Sequence, residues 1–147
     1  MDARISNRSE QGIEVRVVED PPFTILRSER ISLYIGDFFD ATAERIGRFD
    51  LIYDRAAMIA IPEGRRSLYA DRLQSLLEPA GCLLLISIEY DALIMEGPPY
   101  CIAESDVRSL FDTRSVRKLY EHDCLDEEPR FRERGLSWMK EVVYQCE

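Results

Sequence analysis

The sequence predicts an α/β fold with a mostly parallel sheet and an antiparallel strand at its C-terminal end. Extended and helical segments alternate along most of the chain, as in folds whose helices cover a parallel sheet. Residues 82–88 are apolar without alternation, which is typical of a central strand covered on both faces. The last two predicted strands are joined by a loop rather than a helix, so they form an antiparallel end of the sheet.

In the first half of the chain, short extended segments predominate. Residues 1–12 are predicted to form an N-terminal helix, and Pro21-Pro22 forces an extended bend. A helix of at most two turns is predicted over residues 40–46, with Asp40 as its N-cap. The predicted strands cover residues 15–18, 23–26, 31–35 and 49–53.

The second half contains the clearest helix, over residues 62–77, which Pro79-Ala-Gly81 follows. Its apolar side chains recur at helical spacing: Tyr69, Leu73, Leu76 and Leu77. A second helix is predicted over residues 104–111, and the last two strands over residues 116–120 and 139–144. Between those strands, residues 121–134 are dense in charge and are predicted to be a solvated loop.

Composition limits the class of protein. The 147 residues fit one domain, residues 1–147, and carry a net charge of −9, which disfavours nucleic acid as a partner. No apolar run approaches the roughly 18 residues that span a bilayer, and the first residues contain no secretory signal, so we expect no membrane association and a cytoplasmic location. The four cysteines lack metal-site spacing and there is one histidine, so no metal is predicted.

Several common catalytic motifs are missing from the sequence. It contains no Gly-x-x-x-x-Gly-Lys, no His-Glu-x-x-His and no Gly-x-Ser-x-Gly. Its seven glycines are never closer than 11 positions, so a Gly-x-Gly nucleotide loop is absent as well.

Polar residues follow three predicted strands, at the ends where ligands bind in open α/β sheets. They are Asp37, the pair Asp54-Arg55, and the run Glu89-Tyr90-Asp91. Together they predict a crevice lined by carboxylates, one arginine and a tyrosine. The alternative is that polar residues simply follow strands where the chain reaches solvent.

At these positions the chain resembles the C-terminal two thirds of the thiopurine S-methyltransferase family, which are class I S-adenosylmethionine-dependent methyltransferases. The resemblance rests on Gly36-Asp-Phe-Phe-Asp40, Tyr53-Asp-Arg55, Gly97-Pro-Pro99 and Arg130-Phe-Arg-Glu-Arg-Gly-Leu136. It implies a partial Rossmann-like class I methyltransferase sheet without its first two strands. It also implies S-adenosylmethionine as the cofactor, with methyl transfer to a small aromatic thiol or to a selenium or tellurium compound.

The same resemblance implies the site residues. Asp37 and Phe38 correspond to residues that contact the adenosyl group, and Arg55 to one near both cofactor and substrate. Arg55 and Arg130 then correspond to the catalytic arginines, and Arg130, Tyr90 and Pro98 contact the substrate. Because methyl transfer to an acidic thiol needs alignment and an anionic sulfur, the arginines need only favour the thiolate electrostatically.

The match lacks the family's first strand, glycine-rich turn and ribose-binding acid, so we expect this chain alone to bind the cofactor weakly or not at all. Without the neighbouring strands, residues 31–35 lose a partner and residues 49–53 become an exposed apolar edge, which favours self-association. Three hypotheses stay open: a truncated methyltransferase, a non-catalytic remnant or oligomerising module, and a different small-molecule binder on a rearranged sheet.

Overall fold

The computed structural model describes residues 14–147 and the backbone of Arg4–Ile5. The chain divides into two compact units, residues 1–41 and residues 42–147. The expectation of one domain over residues 1–147 stays a prediction.

The first unit contains an antiparallel sheet in which each strand pairs with the next along the chain. Its strands are β1 (Arg4–Ile5), β2 (Arg16–Asp20), β3 (Phe23–Arg27) and β4 (Ser32–Ile35). Pro21 and Pro22 form the tight turn of the β2–β3 hairpin, so the predicted extended bend is wrong. Proline suits such a position because its ring presets φ and it donates no ladder hydrogen bond.

Two further expectations differ in this unit. Arg4 and Ile5 pair with Val17 and Arg16 instead of forming a helix, and the rest of the predicted helix over residues 1–12 lies outside the described residues. Strand β4 does not lack a neighbour, because Ile35 pairs with Thr24 of β3. Consecutive strands with short connections satisfy each other's backbone groups locally, which requires no long-range partner.

The second unit is built on a sheet of order β5-β6-β8-β7. Its strands are β5 (Phe49–Arg55), β6 (Leu77–Tyr90), β7 (Val116–Asp123) and β8 (Met139–Cys146). Strands β5 and β6 are parallel, and β8 runs antiparallel to both β6 and β7 between them. Three strands therefore point the same way, and the predicted sheet with an antiparallel C-terminal strand is confirmed.

Its helices are α1 (Ala43–Ile46), α2 (Glu63–Leu76), α3 (Glu104–Leu110) and α4 (Pro129–Glu133). Helix α2 confirms the predicted helix and buries Tyr69, Leu73 and Leu76. Asp40 is not the N-cap of α1, because it ends a separate 3-10 turn, Phe38–Asp40, and Thr42 precedes the helix.

Strand β6 begins directly after α2, several residues before the predicted strand. Pro79-Ala-Gly81 is thus part of the strand at an irregularity of the β5–β6 pairing. A Cβ at Gly81 would lie 2.9 Å from the carbonyl oxygen of Phe49, so glycine allows the backbones to approach there.

The charged segment over residues 121–134 is not a solvated loop. It contains the end of β7, a 3-10 turn (Leu125–Glu127) and α4. Leu125, Phe131 and Leu136 are buried in a cluster with Tyr90 and Met139. These three apolar side chains, two within the charged segment and one just after it, are sufficient to attach the segment to the sheet.

Strand β5 forms an edge of its sheet, as expected. Its outward side chains Phe49, Leu51 and Tyr53 are 39%, 60% and 58% exposed. In the part of the chain that the structure describes, no helix is both long and apolar enough to cross a membrane.

Candidate functional site

A cavity of about 470 Å³ lies on the face of the second unit's sheet opposite α2. It is open to solvent and combines an apolar floor with charged walls. Its lining residues are Arg55, Ala56, Ile59, Ala60, Ile86, Ile88, Pro98, Pro99, His122, Cys124, Glu127, Glu128, Arg130, Phe131, Met139 and Glu141. The volume falls in the range of small-molecule sites.

The end of β5 positions Arg55 in this cavity. Successive side chains of a strand point to opposite faces, so Asp54 is buried beneath α2 while Arg55 lies on the cavity side. The Asp54 carboxylate accepts hydrogen bonds from the Met58 amide at 3.1 Å and the Tyr69 hydroxyl at 2.7 Å. Between them Ala56 has a φ of +66°, a left-handed conformation that is unfavourable for alanine. The buried carboxylate therefore holds a strained turn directly beside Arg55.

The Arg55 guanidinium faces Glu141 of β8 across the cavity wall. The Nη2–Oε2 distance is 3.6 Å, which is an ion pair but is too long for a hydrogen bond. The Glu141 side chain is 30% exposed and that of Arg55 is 61% exposed. Both charges are accessible to a ligand in the cavity.

The loop carrying Pro98 and Pro99 is held by Tyr90. The Tyr90 hydroxyl donates to the Pro99 carbonyl oxygen at 2.7 Å and accepts from the Cys101 amide at 3.0 Å. Burial raises the pKa of Tyr90, so its hydroxyl remains a donor at neutral pH. On the other side of the loop, the Tyr100 amide donates to the Ile59 carbonyl oxygen at 2.7 Å. Tyr90 thus fixes one wall of the cavity from behind.

Helix α4 supplies Arg130 to the opposite wall. Its guanidinium carbon lies 4.7 Å from the centre of the Phe131 ring, and its Nε is 2.9 Å from Oε2 of Glu128. Phe131 itself is buried, so the aromatic ring links the exposed arginine to the core.

His122 and Cys124 complete the wall near the end of β7. The Nε2 atom of His122 is 2.9 Å from Oε1 of Glu127, and its buried Nδ1 has no hydrogen-bond partner among the described residues. The Cys124 thiol donates to the Met139 carbonyl oxygen at 3.3 Å. Burial raises the pKa of Cys124, so this thiol is protonated and is a poor nucleophile at neutral pH.

The structure brings together three of the six residues predicted from the sequence: Arg55, Arg130 and Pro98. Tyr90 lies behind the lining. Asp37 and Phe38 belong to the first unit, where Oδ1 of Asp37 accepts a 2.9 Å hydrogen bond from the Phe39 amide.

The other acidic strand ends have structural partners. Glu89 accepts a hydrogen bond from the Tyr144 hydroxyl at 3.0 Å, and Asp91 accepts one from the Leu93 amide at 3.0 Å. The carboxylates that line the cavity are instead Glu127, Glu128 and Glu141. The sequence alone did not identify these carboxylates or His122. Met139 and Glu141 lie two residues apart on β8 and so share a face of the strand, and this alternation was a signal from which Glu141 could have been found. Among the described residues, no group of three or more His, Cys, Asp or Glu side chains is placed to hold a metal ion.

A sequence model of the thiopurine S-methyltransferase family matches residues 5–147. Among curated proteins, the thiopurine S-methyltransferase of Nitrosospira multiformis is 35% identical over 136 residues, which is 92% of this chain and 62% of that protein. The one from Vibrio vulnificus is 40% identical over 119 residues, 81% of this chain and 54% of that protein. The chain thus spans little more than half the length of these relatives.

Among solved structures, the chain is similar to an arsenic (III) S-adenosylmethionine methyltransferase from Chlamydomonas reinhardtii. The TM-score is 0.55 at 16% sequence identity, covering 75% of this chain and 42% of that structure. At this identity the likeness concerns the fold alone, and it agrees with the α/β arrangement of the sheet.

Proposed function

Since the chain belongs to the thiopurine S-methyltransferase family, we propose that its cavity is the methyl-acceptor site of an S-adenosylmethionine-dependent S-methyltransferase. The observation that carries this proposal is the convergence of Arg55 and Arg130 on one cavity with an apolar floor. The floor takes an aromatic ring and the arginines take the anionic sulfur attached to it.

The proposed role of the arginines is electrostatic. A thiolate is a far better nucleophile than a thiol, and a nearby positive charge lowers the pKa of an acid by about 1 to 3 units. A guanidinium group has no acceptor, so Arg55 and Arg130 do not take the thiol proton, and that proton leaves to solvent. The catalytic contribution of this chain is then the orientation of the sulfur and the stabilisation of its charge.

The substrate class we propose is a small aromatic thiol, or a selenium or tellurium compound of similar size. Pro98 contacts the ring from one side in this proposal, and Tyr90 acts on the substrate through the loop that it holds. The cavity volume of about 470 Å³ supports a ligand of this size. The proposed reaction takes place in the cytoplasm.

The cavity fits the methyl donor incompletely. Arg55 lines it, whereas Asp37 and Phe38 belong to the first unit. No glycine lines it, and the sequence has no Gly-x-Gly turn that would let a backbone approach the donor closely. We therefore propose that this chain binds the cofactor weakly.

The test measures the pKa of a bound aromatic thiol by the ultraviolet absorbance of its thiolate, which requires no cofactor. Binding to the chain should lower this pKa by about one unit or more, and Arg55→Met or Arg130→Met should each reduce the shift. Arg132→Met is the matched control for Arg130, because Arg132 lies on the same helix and pairs with Asp126 outside the cavity. Equal thiol pKa values in the wild type and in both variants would exclude this role for the cavity.

A second candidate function is that of a self-associating module, and the exposed edge strand β5 favours it. The partner we propose is a second copy of the chain, paired antiparallel along β5. A two-fold axis at Leu51 would place Phe49 of each copy opposite Tyr53 of the other and Leu51 opposite itself. This pairing would satisfy the free backbone groups of the edge and bring the exposed apolar side chains of the two copies into contact as cross-strand neighbours.

A further inference from the structure

Three arginines lie together at one end of the sheet in the first unit. Arg16 of β2 stands directly opposite Arg27 of β3, which places their Cβ atoms about 4.5 to 5.5 Å apart on the same face of the sheet. Arg30 follows in the connection from β3 to β4. The Ser28 amide closes this connection with a 2.8 Å hydrogen bond to the Ile31 carbonyl oxygen, and the Ile31 amide donates to Oγ of Ser28 at 3.2 Å. The backbone therefore keeps Arg30 close to the opposed pair.

The three arginines line one cavity, which has a volume of about 790 Å³ and is open to solvent. Its described lining residues fall between Glu14 and Ile31, so they all belong to the first unit, and none of them lines the cavity of the second unit. Two glutamates, Glu14 and Glu29, line it as well. All five charged residues are exposed, so their side chains are hydrated until a ligand displaces the water.

The positive charges of this cavity are unpaired. Among the residues that the structure describes, none of the three arginines forms an ion pair or a side-chain hydrogen bond, although two glutamates line the same cavity. By contrast, Arg108 of the second unit pairs with Glu104 at 2.7 Å. Like charges directly opposite each other destabilise a pair of strands, so the opposition of Arg16 and Arg27 is unfavourable without an anion between them. Their donors remain available to such an anion.

We propose that Arg16, Arg27 and Arg30 bind the dianionic phosphate group of a small, soluble phosphate monoester. A guanidinium group presents its N–H donors in a planar fork, which matches two oxygens of a phosphate. A phosphate monoester carries a charge of about −1.5 to −2 at pH 7 and has three acceptor oxygens. One phosphate can therefore accept hydrogen bonds from the opposed pair and from Arg30 together. Its charge replaces the repulsion between Arg16 and Arg27 with attraction to both.

Glu14 and Glu29 limit the anions that this site accepts. Together with the three arginines they leave the charged lining with a single net positive charge. A polyanion that extends past the arginines meets these glutamates and a chain of net charge −9, and is repelled. A monoanion such as chloride offers neither a second charge nor a set of oxygens to the three guanidinium groups. The arrangement thus favours one compact dianionic group over nucleic acid and over simple salts.

The experiment adds inorganic phosphate to the purified chain at constant ionic strength and follows the Nε–Hε signals of its arginines by NMR. The signals of Arg16, Arg27 and Arg30 should shift together and saturate with one dissociation constant, whereas chloride at the same ionic strength should not shift them. Arg27→Met should weaken phosphate binding about tenfold, which corresponds to one hydrogen bond to a charged group. Arg117→Met is the matched control, because Arg117 is an exposed arginine of β7 outside this cavity, and it should leave phosphate binding unchanged.

Glu29→Gln distinguishes a change at the site from a loss of folding, because it should bind phosphate more tightly than the wild type. Removing a negative charge beside the arginines should tighten binding about two- to fivefold. Glycerol phosphate should bind as inorganic phosphate does, and both should bind more weakly below about pH 6, where the second negative charge of the phosphate is lost.

Shifts that do not saturate, or that chloride reproduces, would overturn the inference, as would phosphate binding that neither Arg27→Met nor Glu29→Gln changes. Binding to vesicles that contain phosphatidic acid, without binding to glycerol phosphate, would overturn it as well, since the ligand would then be a lipid headgroup. An amide fingerprint spectrum of each variant shows whether it is folded.

Discussion

The Tyr69 hydroxyl donates a 2.7 Å hydrogen bond to Oδ2 of Asp54, and this bond joins α2 to the end of β5 beneath the cavity. Both side chains are buried, at 5% and 3% exposure. The other carboxylate oxygen of Asp54 holds the Met58 amide, so one carboxylate fixes both the helix and the turn that follows Arg55.

Tyr69→Phe should lower the free energy of unfolding by about 1 to 3 kcal/mol, because it leaves a buried carboxylate oxygen without its donor. Urea denaturation of the wild type and the variant measures the difference. Tyr53→Phe is the matched control, since Tyr53 is an exposed residue of β5, and it should change stability by less than about 0.5 kcal/mol. A loss for Tyr69→Phe no larger than that of the control would contradict the structural role of the bond.

Stability should fall as the pH rises above 10.0, the ordinary pKa of tyrosine. Burial first, and then the neighbouring Asp54 and Glu89, raise the pKa values of Tyr69 and Tyr144. In the unfolded chain these tyrosines ionise near pH 10, while in the folded protein they stay protonated. The folded state then binds more protons, and the stability present at lower pH is lost by up to about 1.4 kcal/mol per pH unit for each tyrosine.

Urea midpoints measured between neutral and strongly alkaline pH test this slope. The double variant Tyr69→Phe, Tyr144→Phe should be less stable at neutral pH but should lose stability less steeply above pH 10. Burial also raises the pKa of Cys146 to about 11, so part of the slope will persist in the double variant and begin near pH 9. Identical slopes in the two proteins would show that these tyrosines do not cause the loss of stability at alkaline pH.

The sequence predicts those features of this architecture that depend on the spacing of residues within a single helix or strand. Residues 82–88 are apolar without alternation and do form the centre of β6, and α2 follows from the spacing of Tyr69, Leu73 and Leu76. The position of Arg55 at a strand end also follows from its neighbours along the chain. These features depend on periodicity within one element, which is visible without knowing the fold.

The cavity residues that the sequence did not reveal are brought there by the order of the strands in the sheet. His122 and Glu141 are neighbours of the cavity because β8 lies between β6 and β7, so that Glu141 stands opposite both Ile88 and His122. No spacing along the chain reveals that pairing. Likewise, the few apolar residues of the segment over residues 121–134 gave no periodic signal, although Phe131 anchors it.

Phe131→Ala should abolish the lowering of a bound thiol's pKa by Arg130, even though Arg130 is still present. Removing a buried aromatic side chain costs about 3 to 5 kcal/mol in a rigid core, and less where a short segment detaches on its own. Because Phe131 both anchors α4 and lies beneath the guanidinium, its loss should release Arg130 from the cavity. Thiolate absorbance of the bound ligand and denaturation together measure the two effects.

Phe131→Leu separates anchoring from ring stacking. Leucine keeps most of the apolar contact with the cluster but offers no ring to Arg130. We expect this variant to retain most of the stability and to reduce the shift of the bound thiol's pKa only in part. An unchanged shift of the thiol pKa in Phe131→Ala would show that Arg130 is positioned by its ion pair with Glu128 instead.

The Glu121 carboxylate should titrate at a pKa of about 2, because Lys118 and Lys140 donate to its two oxygens at 2.8 and 2.9 Å. A carbon-detected NMR titration measures this value directly. Lys140→Met should raise the pKa toward the ordinary value for glutamate, and high salt should raise it in the wild type because the pair is exposed. A salt-independent value would place the carboxylate in a more enclosed network than the structure contains.

Leu51→Lys tests the second candidate function at the edge strand. If β5 pairs with a second copy about Leu51, a lysine there places two like charges directly opposite each other, and the mass measured by light scattering should fall to that of one chain. Leu33→Lys is the matched control: Leu33 is an equally exposed leucine, 55% against 60%, on β4 of the other sheet. It should leave the mass unchanged. A wild-type mass of one chain at all concentrations would exclude pairing. A lower mass in both variants would show that self-association depends on general surface hydrophobicity rather than on β5.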